Sequence, residues 1–579
     1  MFTVFIGTFN AKQLYMKTFL MSIGLVAGLL TGAAAQIRSI GTQPLGGDPN
    51  APQTAADKMA NTPKYQKALK VFDRLVEARG DFRLPVPEFV MLKGKGNGRA
   101  AFMDYENNEV QLDENAYNAC IESGFDTAGL AFLIGHELTH YYEKHGWRSG
   151  FAQEYSDLPI GLKINKMVDK VANETEADYL GGFLAYSAGY GLFEKGPELI
   201  EHIYKAYGWG TESVNYPSLS DRQALIGRTN VKLQYLVEVF EMANLLTAIG
   251  HYEEAYEYYR YVAIRYQSRE IYNNLGVAKV LEAMDHFENN ELVYRYPVQL
   301  DLSLSGGSKG SGAGEINRDT LLLQALLQFD AAISLDPNYA PAYLNKACAY
   351  ALLGDMTRAR FYAAEEARAA ARKNNRYPKT AVDADVLLGI LEAKSGNKDN
   401  AKKIFEAAAK DSSALAAINL KILNEDPLPK APPEKLGLKA ETIDGLKMSD
   451  VSHPADNDLC PKFDDQKAIQ LTIDLMFAQN PAPGANSKSK VYICINALNE
   501  ARNKDPMTIF HFTNPDNTGK TAKNIALGAA REEIVKAYGE APKTIESPIG
   551  QMMVYSKIIF ILQNNKLVRW INYTTRSSC

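Results

Sequence analysis

The apolar positions change period several times along the chain, and each change marks a different kind of element. From Ala56 to Ala78 they recur at helical spacing, with Tyr65, Leu69, Val71, Phe72 and Leu75 on one face. Phe89-Val90-Met91-Leu92 reads as a strand. Ala100 to Met103 and Val110 to Leu112 read as a hairpin around Glu106-Asn107-Asn108. Two strongly helical stretches follow, Thr127 to about Lys144 and about Ile164 to Ala188. From about Glu238 the texture turns to helical pairs. The set Leu245, Gly250, Tyr252, Ala255, Tyr259 returns as Ala347, Leu353-Gly354-Asp355, Ala359, Tyr362, and again as Leu391, Gly396-Asn397, Ala401, Phe405. Pro427 to Pro433 reads as a linker. Beyond it Ala468 to Met476 and Val491 to Ala497 alternate like strands, and Arg531 to Tyr538 is helical until Gly539-Glu540-Ala541-Pro542 breaks it. Val554 to Leu562 and Lys566 to Tyr573 predict a hairpin turning at Asn564-Asn565.

The paired helices, with Asp336-Pro337-Asn338-Tyr339-Ala340 as the turn between units, resemble tetratricopeptide repeats. An ordinary α-helical domain is the plainer alternative. Their spacing is uneven, because Ser305 to Gly314 is a Gly/Ser-rich insertion expected to form a flexible loop. The helix, break and hairpin at the end resemble the small α+β modules of outer-membrane lipoproteins of the SmpA/OmlA class, a likeness that brings no catalytic residue.

At 579 residues the chain is too long for one core, and three domains are expected. A net charge of −5 without a basic cluster argues against a nucleic-acid partner. Met16-Lys17, the apolar run Phe19 to Leu30 and the small residues Ala33-Ala34-Ala35 read as an export signal, with Met16 a candidate start and Gln36 the mature terminus. A retained anchor is the alternative, although the run is shorter than the roughly 20 apolar residues of a spanning helix. No later segment is apolar enough to span, so a soluble periplasmic or secreted protein is expected. Five cysteines are too few for a disulfide framework, and no CxxC occurs. Export permits one bridge among Cys460, Cys494 and Cys579, without a basis for choosing the pair.

The candidate chemistry lies at His136-Glu137-Leu138-Thr139-His140. Two histidines four apart on a helix share a face and can hold one metal ion. The carboxylate beside the first is placed to take a proton from a zinc-polarised water, making Glu137 the general base and later the proton donor to the leaving amine. A chance HExxH arises in roughly one of a hundred chains of this composition, so the pentad informs without deciding. Its setting after apolar Phe132-Leu133-Ile134 suits a buried helix; a structural His/Glu pair is the alternative. Catalytic zinc needs a third protein ligand and an open position. Glu174 on the next long helix is the candidate, against a solvated helical carboxylate. Asp178, one turn on, can accept a ring N–H of a ligand histidine. Glu176 lies about 200° around the helix from Glu174 and is expected to face away.

These residues, with His145, Thr175, Ala177, Gly181 and Ala188-Gly189-Tyr190 in order, resemble the HtpX-like and CAAX-prenyl-protease-like zinc peptidases from about Phe89 to Arg228. The soluble exported branch with C-terminal tetratricopeptide repeats is the nearest overall likeness. The resemblance implies one zinc per chain on His136, His140 and Glu174. It also implies an extended substrate laid along the strand at Gly98 to Phe102. Where that family often carries His-Pro before an arginine, this chain reads Tyr216-Pro217-Ser218 and then Asp221-Arg222. Tyr216 is a candidate donor to the oxyanion or a packed loop aromatic. Arg222 pairs with a carboxylate near the site or caps a helix, and His145 supports the site or lies at the surface. The remaining histidines, His202, His251, His286, His453 and His511, lack partner spacing.

The expected fold is α+β, mainly α: a zincin-type helical peptidase domain with a small sheet, an α-solenoid of repeats and a small C-terminal α+β module. The expected layout is a signal over 1–35, a mobile segment over 36–55, peptidase over 56–237, repeats over 238–424, a linker over 425–455 and the last module over 456–579. The expected function is a zinc endopeptidase acting on exported or envelope proteins, with protein or peptide substrates. The repeats recruit substrate or an envelope assembly partner. The rival is an envelope assembly scaffold or chaperone acting through the repeats with residual proteolysis. A closed structural zinc site fits poorly, since such sites favour cysteine.

Overall fold

The computed structural model describes residues 58–94, 99–146, 170–191, 193–210, 218–288, 290–300, 318–373, 376–428, 435, 439–452, 468–470, 475–481, 489–496, 507–547 and 550–576. The expected signal, the Gly/Ser insertion and the linker's prolines from Pro429 on lie outside them, as do Cys460 and Cys579. The fold is mainly helical with sheets. The described residues of Met1–Arg74, Val86–Ala185 and Phe193–Asn230 make one compact unit, and those of Leu75–Pro85, Tyr186–Leu192 and Val231–Cys579 make another.

In the first unit the opening helix starts later than its apolar period suggests. Lys58–Met59 (β1) pairs with Met91 and Leu92, and helix α1 runs Pro63–Arg79. Asn61 takes a left-handed φ of 60°, the Thr62 hydroxyl accepts the Tyr65 N–H, and Pro63 supplies the φ of a first helical turn. Capping chemistry overrides periodicity there. Strands β2 (Glu88–Leu92), β3 (Ala101–Asp104) and β4 (Glu109–Asp113) complete a sheet ordered β1-β2-β4-β3. β2 and β4 are parallel, while β3 and β4 form the expected hairpin, its turn held by Asp104 accepting from the Glu106 and Asn107 amides. Phe72 and Tyr65 pack against Phe89 with tilted rings, their centroids 5.3 and 5.9 Å from its own.

Asp113 caps α2 (Glu114–Glu122), and α3 (Asp126–Tyr142) follows, buried from Gly129 onward. α4 covers Lys170–Ala185, the described part of the helix expected from Ile164; it passes into a π-turn at Tyr186–Tyr190 instead of continuing to Ala188 as α-helix. α5 (Gly196–Tyr207) and α6 (Leu219–Ile249) come next.

The second unit stacks helical pairs: α7 (Tyr252–Arg265), α8 (Arg269–Asp285), α9 (Arg318–Leu335), α10 (Ala340–Leu352) and α11 (Met356–Phe361). The last passes through a π-turn at Tyr362–Ala367 into α12 (Arg368–Lys373). α13 (Pro378–Lys394), α14 (Lys398–Lys410) and α15 (Ala414–Leu423) complete the series. A Cβ at Gly276 would meet the Phe329 ring at 2.4 Å, and one at Gly389 the Phe405 ring at 2.6 Å. The small residue of one helix thus seats the aromatic of its partner in the α8–α9 and α13–α14 pairs, which is how such stacking closes.

The C-terminal strands form an antiparallel sheet ordered β11-β12-β13-β14-β10-β9-β8-β7. Its members are β7 (Ala468–Gln470), β8 (Leu475–Pro481), β9 (Lys490–Asn496), β10 (Met507–Phe512), β11 (Lys543–Ser547), β12 (Gly550–Val554), β13 (Ile558–Gln563) and β14 (Lys566–Arg576). A two-stranded ribbon, β5 (Thr442–Ile443) with β6 (Leu446–Lys447), and helix α16 (Met448–Ser452) precede it. The expected hairpin forms at Asn564-Asn565, whose φ values of 49° and 61° suit a two-residue turn. Val554 closes β12 and is not part of that hairpin. The single strand expected over Ala468 to Met476 is two antiparallel strands, because alternation continues across a reversal that periodicity alone cannot register. Helix α17 (Arg531–Tyr538) packs Ile534 and Tyr538 on Met553, Phe560 and Trp570. Cys494 is a free, buried thiol, as are Cys120 and Cys348. No described helix is long and apolar enough to cross a membrane.

Candidate metal centre

Helix α3 carries His136, Glu137 and His140, and α4 carries Glu174 and Asp178. The two helices touch at Gly135 and Gly181. A Cβ on Gly181 would lie 2.8 Å from the Gly135 carbonyl and the His136 amide nitrogen, and one on Gly135 would lie 2.9 Å from the Gly181 oxygen. Only glycine permits backbones this close. Glu174 lies seven residues, two turns, before Gly181, and the crossing sets it against the histidine face. We expect Gly181→Ala to lower stability by about 1–3 kcal/mol and zinc affinity at least about 10-fold. Gly227→Ala, inside α6 where a Cβ meets nothing within 4 Å, is expected to leave zinc affinity unchanged and to raise stability by up to about 1 kcal/mol. Thermal melts and a chelator competition check both.

His136, His140 and Glu174 offer donor atoms within 4.8 Å of one another, and all three are buried. The two Nε2 atoms are 3.0 Å apart. Glu174 Oε2 lies 3.4 Å from His136 Nε2, and its Oε1 lies 3.4 Å from His140 Nε2. Tetrahedral zinc with bonds of 2.0–2.1 Å spaces its donors about 3.3 Å apart, so this separation suits one ion.

The far side of each ring is held as well. His136 Nδ1 is 2.8 Å from Asp178 Oδ1. With Nδ1–H donating to that carboxylate, Nε2 keeps its lone pair toward the cluster. His140 Nδ1 lies 2.8 Å from His145 Nδ1, and His145 Nε2 lies 3.1 Å from Glu176 Oε2. Donation from His140 to His145 and from His145 to Glu176 frees His140 Nε2 in the same way. Glu176 therefore stands off the donor cluster and orients a histidine that orients another. From α6, buried Arg222 donates Nη1–H to Glu174 Oε2 at 2.5 Å and Nη2–H to Asp178 Oδ1 at 3.1 Å.

Electrostatics separate the two glutamates. Burial pushes the Glu137 carboxyl up to about 7, with the charge of Glu174 adding to the rise and His136 and Arg222 opposing it. Its Oε1 is buried with no hydrogen-bond partner among the described residues, and the Met103 amide donates to the carboxylate. Burial also works against ionisation of Glu174, but Arg222 and the two histidines outweigh it and hold that carboxyl well below its ordinary range. Burial lowers His140. In His136, burial is outweighed by Asp178 and Glu174, which push the imidazole up to about 10, so a metal ion bound at Nε2 would displace a proton there.

The structure thus brings together His136, Glu137, His140, Glu174, Asp178, His145 and Arg222. Tyr216 and Gly98 lie outside the described residues, as does His453. Tyr105 was not singled out by sequence reasoning. Its hydroxyl donates to the His140 carbonyl at 2.7 Å and accepts the Gly146 N–H at 3.1 Å, tying the end of α3 to the residue after His145. Its place in a hairpin turn gives no periodic signal, so nothing in the chain's pattern points to it. Among the described residues β3, which supplies Met103, is the outer strand of its sheet, and Ala101, Phe102 and Met103 are buried.

Residues 329–361, from the end of α9 through α10 to α11, match the tetratricopeptide repeat family. No curated protein matches the chain.

Proposed function

We propose that the first unit is a zincin-type metallopeptidase of the HtpX-like kind, an endopeptidase acting on exported or envelope proteins. The repeats of the second unit serve protein–protein contact. One observation carries this reading: two imidazole nitrogens and a carboxylate within 4.8 Å of one another, with a buried glutamate next in sequence to the first histidine. Two nitrogens and one oxygen are the donor set of a catalytic zinc site that keeps a position open. A zinc ion held by His136, His140 and Glu174 supplies an acidified water and a Lewis acid for a peptide carbonyl.

The remaining work belongs to the chain. Glu137, buried beside the donor cluster with Oε1 free of hydrogen-bond partners among the described residues, accepts a proton from the attacking water and returns it to the departing amine. Asp178 and His145 keep both imidazoles in the orientation that points Nε2 inward. Arg222 holds Glu174 ionised. The outer position of β3, beside Glu137, favours a substrate strand paired through its backbone.

The protein is expected to carry one zinc per chain by atomic absorption, and a chelator to abolish casein cleavage that added zinc restores. Absence of zinc, or cleavage indifferent to the chelator, rejects the reading. Bound zinc without hydrolysis of any unfolded protein favours the assembly scaffold, for which the repeat match speaks.

A further inference from the structure

An extended segment of the chain itself lies across several helices of the repeats. Between α8 and α9, residues Leu292–Leu300 take neither helix nor strand, yet they are gripped by buried amides. Asn345 of α10 accepts the Gln299 N–H at 2.6 Å and donates to the carbonyl of the same residue. Asn419 of α15 treats Arg295 alike, at 2.8 and 2.9 Å. Asn273 of α8 donates to the Gln299 carbonyl at 3.2 Å and accepts from Asn345 at 2.8 Å. All three asparagines are 0% exposed. From α13, Asp383 and Thr380 hold the Gln299 side chain, and Lys394 donates to the Tyr296 hydroxyl at 3.2 Å.

A side-chain amide that binds the N–H and the C=O of one residue reads backbone, as a neighbouring strand would, and asks little of the side chain. Anchoring falls to Tyr296 and Pro297, which are buried, while Val293 and Arg295 are exposed. The segment crosses four helices, α8, α10, α13 and α15, each the first of a pair or the cap of the stack. When the strap leaves, these amides pair with water or with the backbone of another extended peptide, and the net difference is about 0.5–1.5 kcal/mol per hydrogen bond.

We propose that this face is a peptide-binding groove whose resident ligand is Leu292–Leu300, and that it takes by exchange an extended segment of a partner protein bearing an aromatic-proline pair. A tethered strap competes at about millimolar effective concentration, so a strap of about 10 μM intrinsic Kd masks the groove about 100-fold against any partner segment until it leaves. The inference rests on the second unit alone and stands whether or not the first unit hydrolyses peptides.

The test uses the full chain and a fluorescein-labelled synthetic peptide of residues 291–300, read by anisotropy. Tyr296→Ser with Val298→Ser loosens the strap and spares the asparagines. That variant is expected to bind the peptide at least about tenfold tighter than the parent, and adding Asn345→Ala and Asn419→Ala is expected to remove the binding. A loosened variant with the parent's circular dichroism that fails to bind overturns the groove. Equal affinity of variant and parent overturns the strap as competitor. If the loosened variant does not fold, amide exchange on the parent decides: a millimolar excess of unlabelled peptide is expected to speed exchange at Arg295 and Gln299, and unchanged rates overturn displacement.

Discussion

Glu137→Gln is expected to keep its zinc and lose hydrolysis of an unfolded protein by several orders of magnitude, at least about 10³-fold. The substitution keeps the shape of the side chain and removes its basicity. General acid–base action by one positioned group contributes about 10²–10⁴-fold, and here one carboxylate serves both proton transfers. Its placement suits both, since the carboxylate is buried beside the donor cluster and its Oε1 has no hydrogen-bond partner among the described residues. Glu137 stands outside the donor cluster of His136, His140 and Glu174, so metal content should be unchanged. Comparing zinc content with casein turnover in the same preparation separates the two effects. Equal turnover by variant and parent would remove Glu137 from the chemistry.

The second large effect is a contrast within one turn of α4. Glu174→Ala is expected to lower zinc affinity by at least about 100-fold, because the lost carboxylate is one of three proposed ligands. The change also leaves Arg222 facing two histidines without its closest counter-charge. Glu176→Ala should cost about 10-fold or less, since Glu176 stands off the donor cluster and touches His145, and its side chain is 41% exposed. A competition titration against a chromophoric chelator ranks the two. The reverse order would move the third ligand from residue 174 and with it the proposed centre.

How much of this site was legible in the chain differs residue by residue. His136 and His140 share a helical face through local geometry alone, because a spacing of four returns a side chain to the same side. Asp178 was reachable by the same rule, one turn from Glu174. Arg222 was ambiguous: an arginine at a helix start pairs or caps equally well on paper, and its two carboxylate partners come from a helix more than forty residues earlier. The His145–Glu176 contact was invisible, since helical phase showed only that Glu176 points away from Glu174, not what it points toward. The repeat pattern foretold helical pairs and their turns, but it gave no sign that Leu292–Leu300 would lie across them.

The chain's own pattern dictates what short-range geometry governs. This covers the helical and strand periods, the Asn564-Asn565 hairpin, the glycine turns of the repeats and the pairing of two imidazoles on one face. Backbone dihedrals and side-chain period settle such features within a few residues. The tertiary structure alone decided the meeting of Gly135 with Gly181, the seat of Arg222 between two carboxylates and the insertion of an extended strap among buried asparagines. Those arrangements join positions dozens of residues apart, where the gain from contact must exceed the entropy of closing the chain between them, and no local pattern records which closure wins.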